Sequence, residues 1–291
     1  MEQSEAWLKQ KRNTIKESSY TIYFGIVKKY LNPFFGEILV NKIDKKMIES
    51  FKNSLNNELN NRTKVEIIRV LNAILCFQKE KITALDSKAT MSNDCSKKKI
   101  LTKEEFVKFI KYLGKDTDLI KLGILLLICT GIKIGELCAL KWEDIRIQEG
   151  YVIINKTVQD FSKKAVNRMS KKELAISKVK ERKIPLMDFL QDELAKQEKS
   201  KNCFLLTGTL KWYERFKMEY KLKQILKDAS LKDDFTFTEL RDSFIVIAIE
   251  SGMDLRALCD ILGIDLNSIK KYLENIPIKD TRQEIKKLCL I

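Results

Sequence analysis

Apolar residues return at three- and four-residue steps along most of this chain, and that spacing commits it to helices packed on one another. Tyr20, Tyr23, Phe24, Val27, Tyr30 and Leu31 mark one helix face, and Pro33 is expected to end that helix. Asp44 is placed to cap a second helix carrying Met47, Ile48, Phe51 and Leu55. A third runs from about Thr63, with Ile67, Ile68, Leu71, Ile74 and Leu75 on one face. No strand pattern interrupts these segments, so residues 1–86 read as a small bundle of four short helices.

The periodicity stops over residues 86–99. Ser, Lys, Asn, Asp and Thr dominate there, and Lys97, Lys98 and Lys99 form a charge run. Residues 87–100 are expected to be a linker and residues 101–291 a second domain. Thr102 and Glu105 have capping-box spacing ahead of Phe106, Phe109, Ile110 and Leu113. A buried helix is expected over Leu119 to Cys129, and strands over Tyr151–Lys156 and Arg182–Leu186. Helices are expected again near Asp188–Glu198, Trp212–Lys227, Thr238–Glu250, Leu255–Leu262 and Ile269–Glu274. The fold class is therefore mainly α (α+β), a helical bundle followed by a mostly helical domain with a small antiparallel sheet.

Charge narrows the function. The net charge is +15 with no histidine, and it is not confined to a tail: 19 Lys and Arg stand against 11 Asp and Glu in residues 1–99, and 36 against 29 in residues 100–291. A positive field spread over both halves suits a protein that embraces a polyanion, with DNA or RNA first in line. Solubility alone is the plainer explanation of the same charge. The seven cysteines form no Cys-x-x-Cys pair, and zinc sites with histidine ligands are excluded, so no metal is expected. Cys76, Cys129, Cys138, Cys259 and Cys289 fall in apolar helical runs, as reduced cysteines do, which points to the cytoplasm. The N-terminus does not read as a signal peptide, and the longest apolar run is too short for a bilayer. Neither GxGxxG nor a P-loop is present, so no nucleotide or other cofactor is expected.

The segment Thr130-Gly131-Ile132-Lys133-Ile134-Gly135-Glu136-Leu137-Cys138-Ala139-Leu140-Lys141-Trp142-Glu143-Asp144-Ile145 resembles the first conserved box of tyrosine recombinases of the phage-integrase type. Phe237-Thr238-Glu239-Leu240-Arg241-Asp242-Ser243-Phe244 resembles the second box, Leu262-Gly263 the start of the third, and Tyr272 follows at a suitable distance. The stretch from Ser18 to Leu85 resembles that family's helical, SAM-like core-binding domain, so the likeness covers nearly the whole chain. The first box is long enough to be specific, and the order and spacing of the others support it.

The resemblance implies phosphoryl transfer without metal or nucleotide. A tyrosine hydroxyl attacks the scissile phosphate, leaving a 3′-phosphotyrosyl bond and a free 5′-hydroxyl, and rejoining reverses the step. Two arginines clamp the non-bridging oxygens, and a lysine or histidine protonates the leaving 5′-oxygen. Carried over by motif, Tyr272 is the nucleophile, Arg241 the second arginine and Glu136 the motif glutamate. Lys178, with Lys180 second, is the hairpin lysine. Each has a plainer reading: a packing tyrosine, an arginine paired with Glu239 or Asp242, and a helix-surface carboxylate.

The departures are as informative. Lys133 stands where the family has its first arginine and lacks the planar fork. Thr238 replaces a histidine and is no acid–base group near neutral pH. Ile264 replaces a histidine or tryptophan and has no donor. Asp242 replaces a common histidine and is expected to set a negative charge close to the phosphate. Three function classes follow. The first is a DNA-binding integrase-family protein with lost or weakened strand cleavage. The second is an active, divergent site-specific tyrosine recombinase of a mobile element, acting in DNA integration or excision. The third is a helical adaptor for a partner recombinase, against which the spread of charge argues. Double-stranded DNA is the expected partner, with self-association or a partner recombinase on DNA.

Overall fold

The computed structural model describes residues 2–15, 17–39, 42–55, 59–77, 99–162, 172–231, 235–273 and 276. The expected linker lies outside these residues apart from its last positions. Most of the chain is helical, with one small sheet, and it divides into two compact units.

In the N-terminal unit, α1 (Glu2–Arg12) and α2 (Glu17–Ile26) lead into a π-helical turn over Val27–Leu31, then α3 (Asn32–Phe35), α4 (Lys45–Ser54) and α5 (Asn61–Phe77). Asp44 caps α4 by accepting the Met47 N–H at 2.8 Å. Pro33 does not end the preceding helix, contrary to the sequence expectation. The chain winds wide before it, with the Asn32 N–H donating to Val27 O, and Pro33 then falls in the first turn of α3, where a missing N–H costs nothing. The core joins Trp7, Val27, Leu31, Phe51, Ile67 and Leu71. Phe34, Phe35 and Phe51 pack edge to face or tilted, with centroids 4.8–5.1 Å apart.

In the C-terminal unit, α6 (Lys103–Leu113) opens on the expected capping box, Thr102 and Glu105 each holding the other's backbone N–H. Next come α7 (Leu119–Thr130) and α8 (Ile134–Ala139), then a 3-10 turn at Trp142–Asp144. From Leu122 to Thr130, α7 is buried on all sides, packed by α6, by α9 (Asp188–Lys196) and by α11 (Phe237–Glu250). The sheet has the order β1 (Ile145–Arg146), β2 (Tyr151–Ser162), β3 (Lys172–Pro185), with Ile145 opposite Val152 and Arg146 opposite Tyr151. The expected strands are the inner ends of a longer ribbon. The unit is completed by α10 (Arg215–Asp228), α12 (Leu255–Leu262) and α13 (Leu266–Leu273). Cys129, Cys138 and Cys259 are buried as expected, and burial pushes the Cys129 thiol up to about 12. Cys76 is exposed, because it falls one position past the buried face ending at Leu75.

Candidate active site

Two short turns bring the motif segments together. After α7 the chain reverses at Gly131, whose φ of 66° is left-handed, and starts α8 at once. A Cβ at Gly131 would lie 2.6 Å from the Phe244 ring and 2.8 Å from Leu262. This glycine is therefore required twice, by its backbone and by what packs on it. The second turn is Gly263, with φ 63°, where the Ile264 N–H donates back to Cys259 O at 3.2 Å and closes α12.

Glu136 sits in the first turns of α8 and is 3% exposed. One of its oxygens accepts the Lys133 N–H at 2.9 Å, and both accept from the Arg182 guanidinium of β3, at 3.0 and 2.7 Å. Burial alone would raise this carboxyl's pKa. The fork of Arg182 and the Lys133 N–H outweigh burial and hold it below the ordinary glutamate value. Arg182 also donates through Nε to Ile261 O at 2.8 Å, and its side chain lies over Gly263, 3.1 Å from where a Cβ would stand. Arg241, on α11, donates through Nη2 to the next carbonyl, Leu262 O, at 3.2 Å. Two guanidiniums thus converge on the carbonyl end of α12, where the helix dipole favours cations.

Arg241 is 9% exposed, and its Nη1 is buried with no acceptor among the described residues. An arginine can rarely leave a buried donor unmet without cost, so this one is poised for an anionic oxygen. Beside it, on α13, Tyr272 is 5% exposed and donates its hydroxyl to Asp242 Oδ1 at 2.5 Å; Asp242 is 4% exposed. Burial first, and then the bond to Asp242 and its charge, raise the Tyr272 pKa well above the ordinary phenol value, only partly opposed by Arg241. The hydroxyl is therefore protonated at any neutral pH.

The remaining expected residues lie around this cluster. Lys133 is exposed at the start of α8, and Thr238 is exposed in the first turn of α11, one turn before Asp242. Ile264 is half-buried after the α12 turn. Lys178 and Lys180 are exposed on β3, four and two positions before Arg182, and no described hydrogen bond or ion pair joins either to the cluster. Arg241 does not pair with Glu239, which is spent on capping Thr236. The sequence reading missed Arg182. Its signal was the single arginine of β3, where lysine is otherwise the cation, which marks a place that needs the planar fork. Nor did the sequence reading foresee that Asp242 accepts the Tyr272 hydroxyl. Among the described residues no group of His, Cys, Asp and Glu is arranged to hold a metal, and no helix is long and apolar enough to cross a membrane.

Residues 99–276 match the model of the phage integrase family, and residues 2–56 match the N-terminal SAM-like domain of phage integrases. The chain belongs to the phage integrase family. The tyrosine recombinase XerA of Pyrococcus furiosus is 26% identical over 198 residues, 66% of this chain and 63% of that protein. The tyrosine recombinase XerA of Pyrococcus horikoshii is 27% identical over 77% of this chain and 75% of its own. The chain thus spans a little under two thirds of the first of these relatives. Among solved structures, the Tn1549 transposon integrase in complex with transposon right end DNA superposes with a TM-score of 0.76, covering 98% of this chain and 99% of that one at 16% identity. XerH site-specific recombinase bound to difH substrate, in a pre-cleavage complex, gives 0.62 over 94% and 79% at 18% identity. These likenesses establish the integrase fold.

Proposed function

We propose that this integrase-family chain binds double-stranded DNA and retains a weakened strand-cleaving and rejoining activity through Tyr272. The observation that carries the reading is the meeting of three motif segments at one point. The fork of Arg241 keeps a buried, unmet N–H donor there, beside the Tyr272 hydroxyl. A scissile phosphate entering this place offers Arg241 the oxygen it lacks. Tyr272 Oη then attacks phosphorus, the 5′-oxygen leaves, and a lysine of β3, Lys178 or Lys180, supplies its proton. Rejoining runs the same steps in reverse.

Weakening follows from the other positions. Lys133 brings a point charge without a fork, Thr238 has no useful proton affinity and Ile264 has no donor. Removing one preorganised donor of this kind costs about 10²–10³ in rate, and groups that act as a unit do not add simply. The burial of the Tyr272 hydroxyl favours a second reading, a clamp on DNA in which cleavage is lost altogether. That the Tn1549 integrase and XerH were solved on DNA supports duplex DNA as the partner, and a lambda integrase tetramer bound to a Holliday junction supports self-association on it.

The test is covalent capture. A pool of duplexes nicked near a randomised centre is incubated with the chain, and adducts that survive detergent are counted. A low but definite yield, absent in Tyr272→Phe, is expected. No adduct with any member of the pool would leave the clamp; an adduct that persists in Tyr272→Phe would mean another nucleophile.

A further inference from the structure

Among the described residues two tyrosine hydroxyls donate to a carboxylate at 2.5 Å, Tyr151 to Glu149 at the surface and Tyr272 to Asp242 in the interior. In the interior pair both side chains are buried, and the donor is the hydroxyl that strand cleavage uses. The sequence alone suggested a carboxylate that repels phosphate. Its position also gives the phenol a proton acceptor, and we infer that Asp242 is a catalytic residue, the general base that takes the Tyr272 proton during cleavage. This rests on the reading of Tyr272 as nucleophile.

Three features favour that role. Tyr272 is held protonated by its surroundings, so attack requires that the proton leave as the bond to phosphorus forms. Thr238, one turn earlier on the same helix, has no capacity to accept it at neutral pH. Asp242 follows Arg241 directly, so the backbone that carries the phosphate clamp also fixes the base. The step balances simply. The Oη–phosphorus bond forms and the bond from phosphorus to the 5′-oxygen breaks. The phenolic proton passes to Asp242 Oδ1, and the 5′-oxygen takes a proton from the β3 lysine. On rejoining, Asp242 returns its proton to the phenolate. Its carboxylate becomes neutral while charge grows on the phosphate, so its repulsion fades when it would be most harmful. The charged groups around the pair are Arg241, Arg182 and Glu136, with Lys271 Nζ lying 4.9 Å from the Tyr272 ring centre.

Asp242→Asn keeps an oxygen that can accept the hydrogen bond but removes the proton affinity. Asp242→Glu keeps the base and displaces it by one methylene. Both are compared with the unmodified chain in adduct capture on the nicked-duplex pool, with thermal melts and duplex affinity measured in parallel. Adduct formation is expected to fall about 10²-fold or more in Asp242→Asn, with partial recovery in Asp242→Glu and unchanged duplex affinity. Unchanged or increased adduct in Asp242→Asn would overturn the proposal, since the carboxylate would then only restrain the tyrosine. If Asp242→Asn fails to fold, Asp242→Glu decides: a chain that melts normally with an adduct yield clearly below the unmodified chain's but above background supports a placed base, and a yield equal to the unmodified chain's, or none, overturns it. No adduct from the unmodified chain would overturn the reading of Tyr272 as an active nucleophile, and this inference with it.

Discussion

On the function proposed above, Lys133 keeps a positive charge where a planar fork would hold two phosphate oxygens, and the difference is one of geometry as much as charge. Lys133→Arg, Thr238→His and Ile264→His together are expected to raise Tyr272 adduct formation above its low baseline, each alone doing less, as measured by adduct capture. Efficient cleavage by the unmodified chain would show that the substitutions are compensated. The pair of Glu136 and Arg182 is a separate residue-scale matter, because both ions are largely desolvated. Arg182→Ala leaves a buried carboxylate without its partner and is expected to cost about 3–5 kcal/mol of unfolding free energy in a denaturant titration. The same pair sets part of the acid limb. Glu136 has its folded pKa lowered, so its contribution is fully present above the unfolded value of about 4.3 and is lost as pH falls through the folded value. Glu136→Gln is expected to flatten stability against pH in that acid window and not near neutrality.

Elements in this protein are placed by their ends. Gly131 and Gly252 both have left-handed backbones, with φ of 66° and 84°, yet their surroundings differ. A Cβ at Gly252 meets nothing within 4 Å, while one at Gly131 runs into Phe244 and Leu262. Gly252→Ala is therefore expected to cost about 1–2 kcal/mol of strain. Gly131→Ala adds about 1–3 kcal/mol of overpacking and shifts the start of α8, so it should also depress adduct formation. Equal melting temperatures for the two variants would contradict this account. Pro33 teaches the same lesson from the other side. A proline that reads as a stop becomes a first-turn residue once a wide π turn absorbs the lost hydrogen bond.

For the whole molecule, the charge of +15 is the property that a ligand meets first. If DNA is held through six or more phosphates, affinity is expected to fall by orders of magnitude between about 50 and 200 mM salt. A flat salt dependence, or no duplex binding at low salt, would contradict a phosphate-dominated contact. The polar composition of residues 86–99 leads to a second expectation, that limited proteolysis cuts there first. Early cleavage within residues 119–129, which are buried in α7 from Leu122 onward, would contradict the boundary.

What the sequence determined by itself was local or carried by pattern. The helix faces, the caps at Asp44 and Thr102, and the order of the boxes all depend on neighbours a few residues apart. Arg241 and Tyr272 were singled out for the same reason, through their flanking motifs. Tertiary structure decided which charges meet. Arg182 lies 46 residues from Glu136 in the chain, and Tyr272 lies 30 from Asp242. No periodicity or propensity records such a separation. The pairing of Asp242 with the tyrosine depends on how α13 packs on α11. Packing geometry sets the distance between two charges, and distance and burial together set what those charges do.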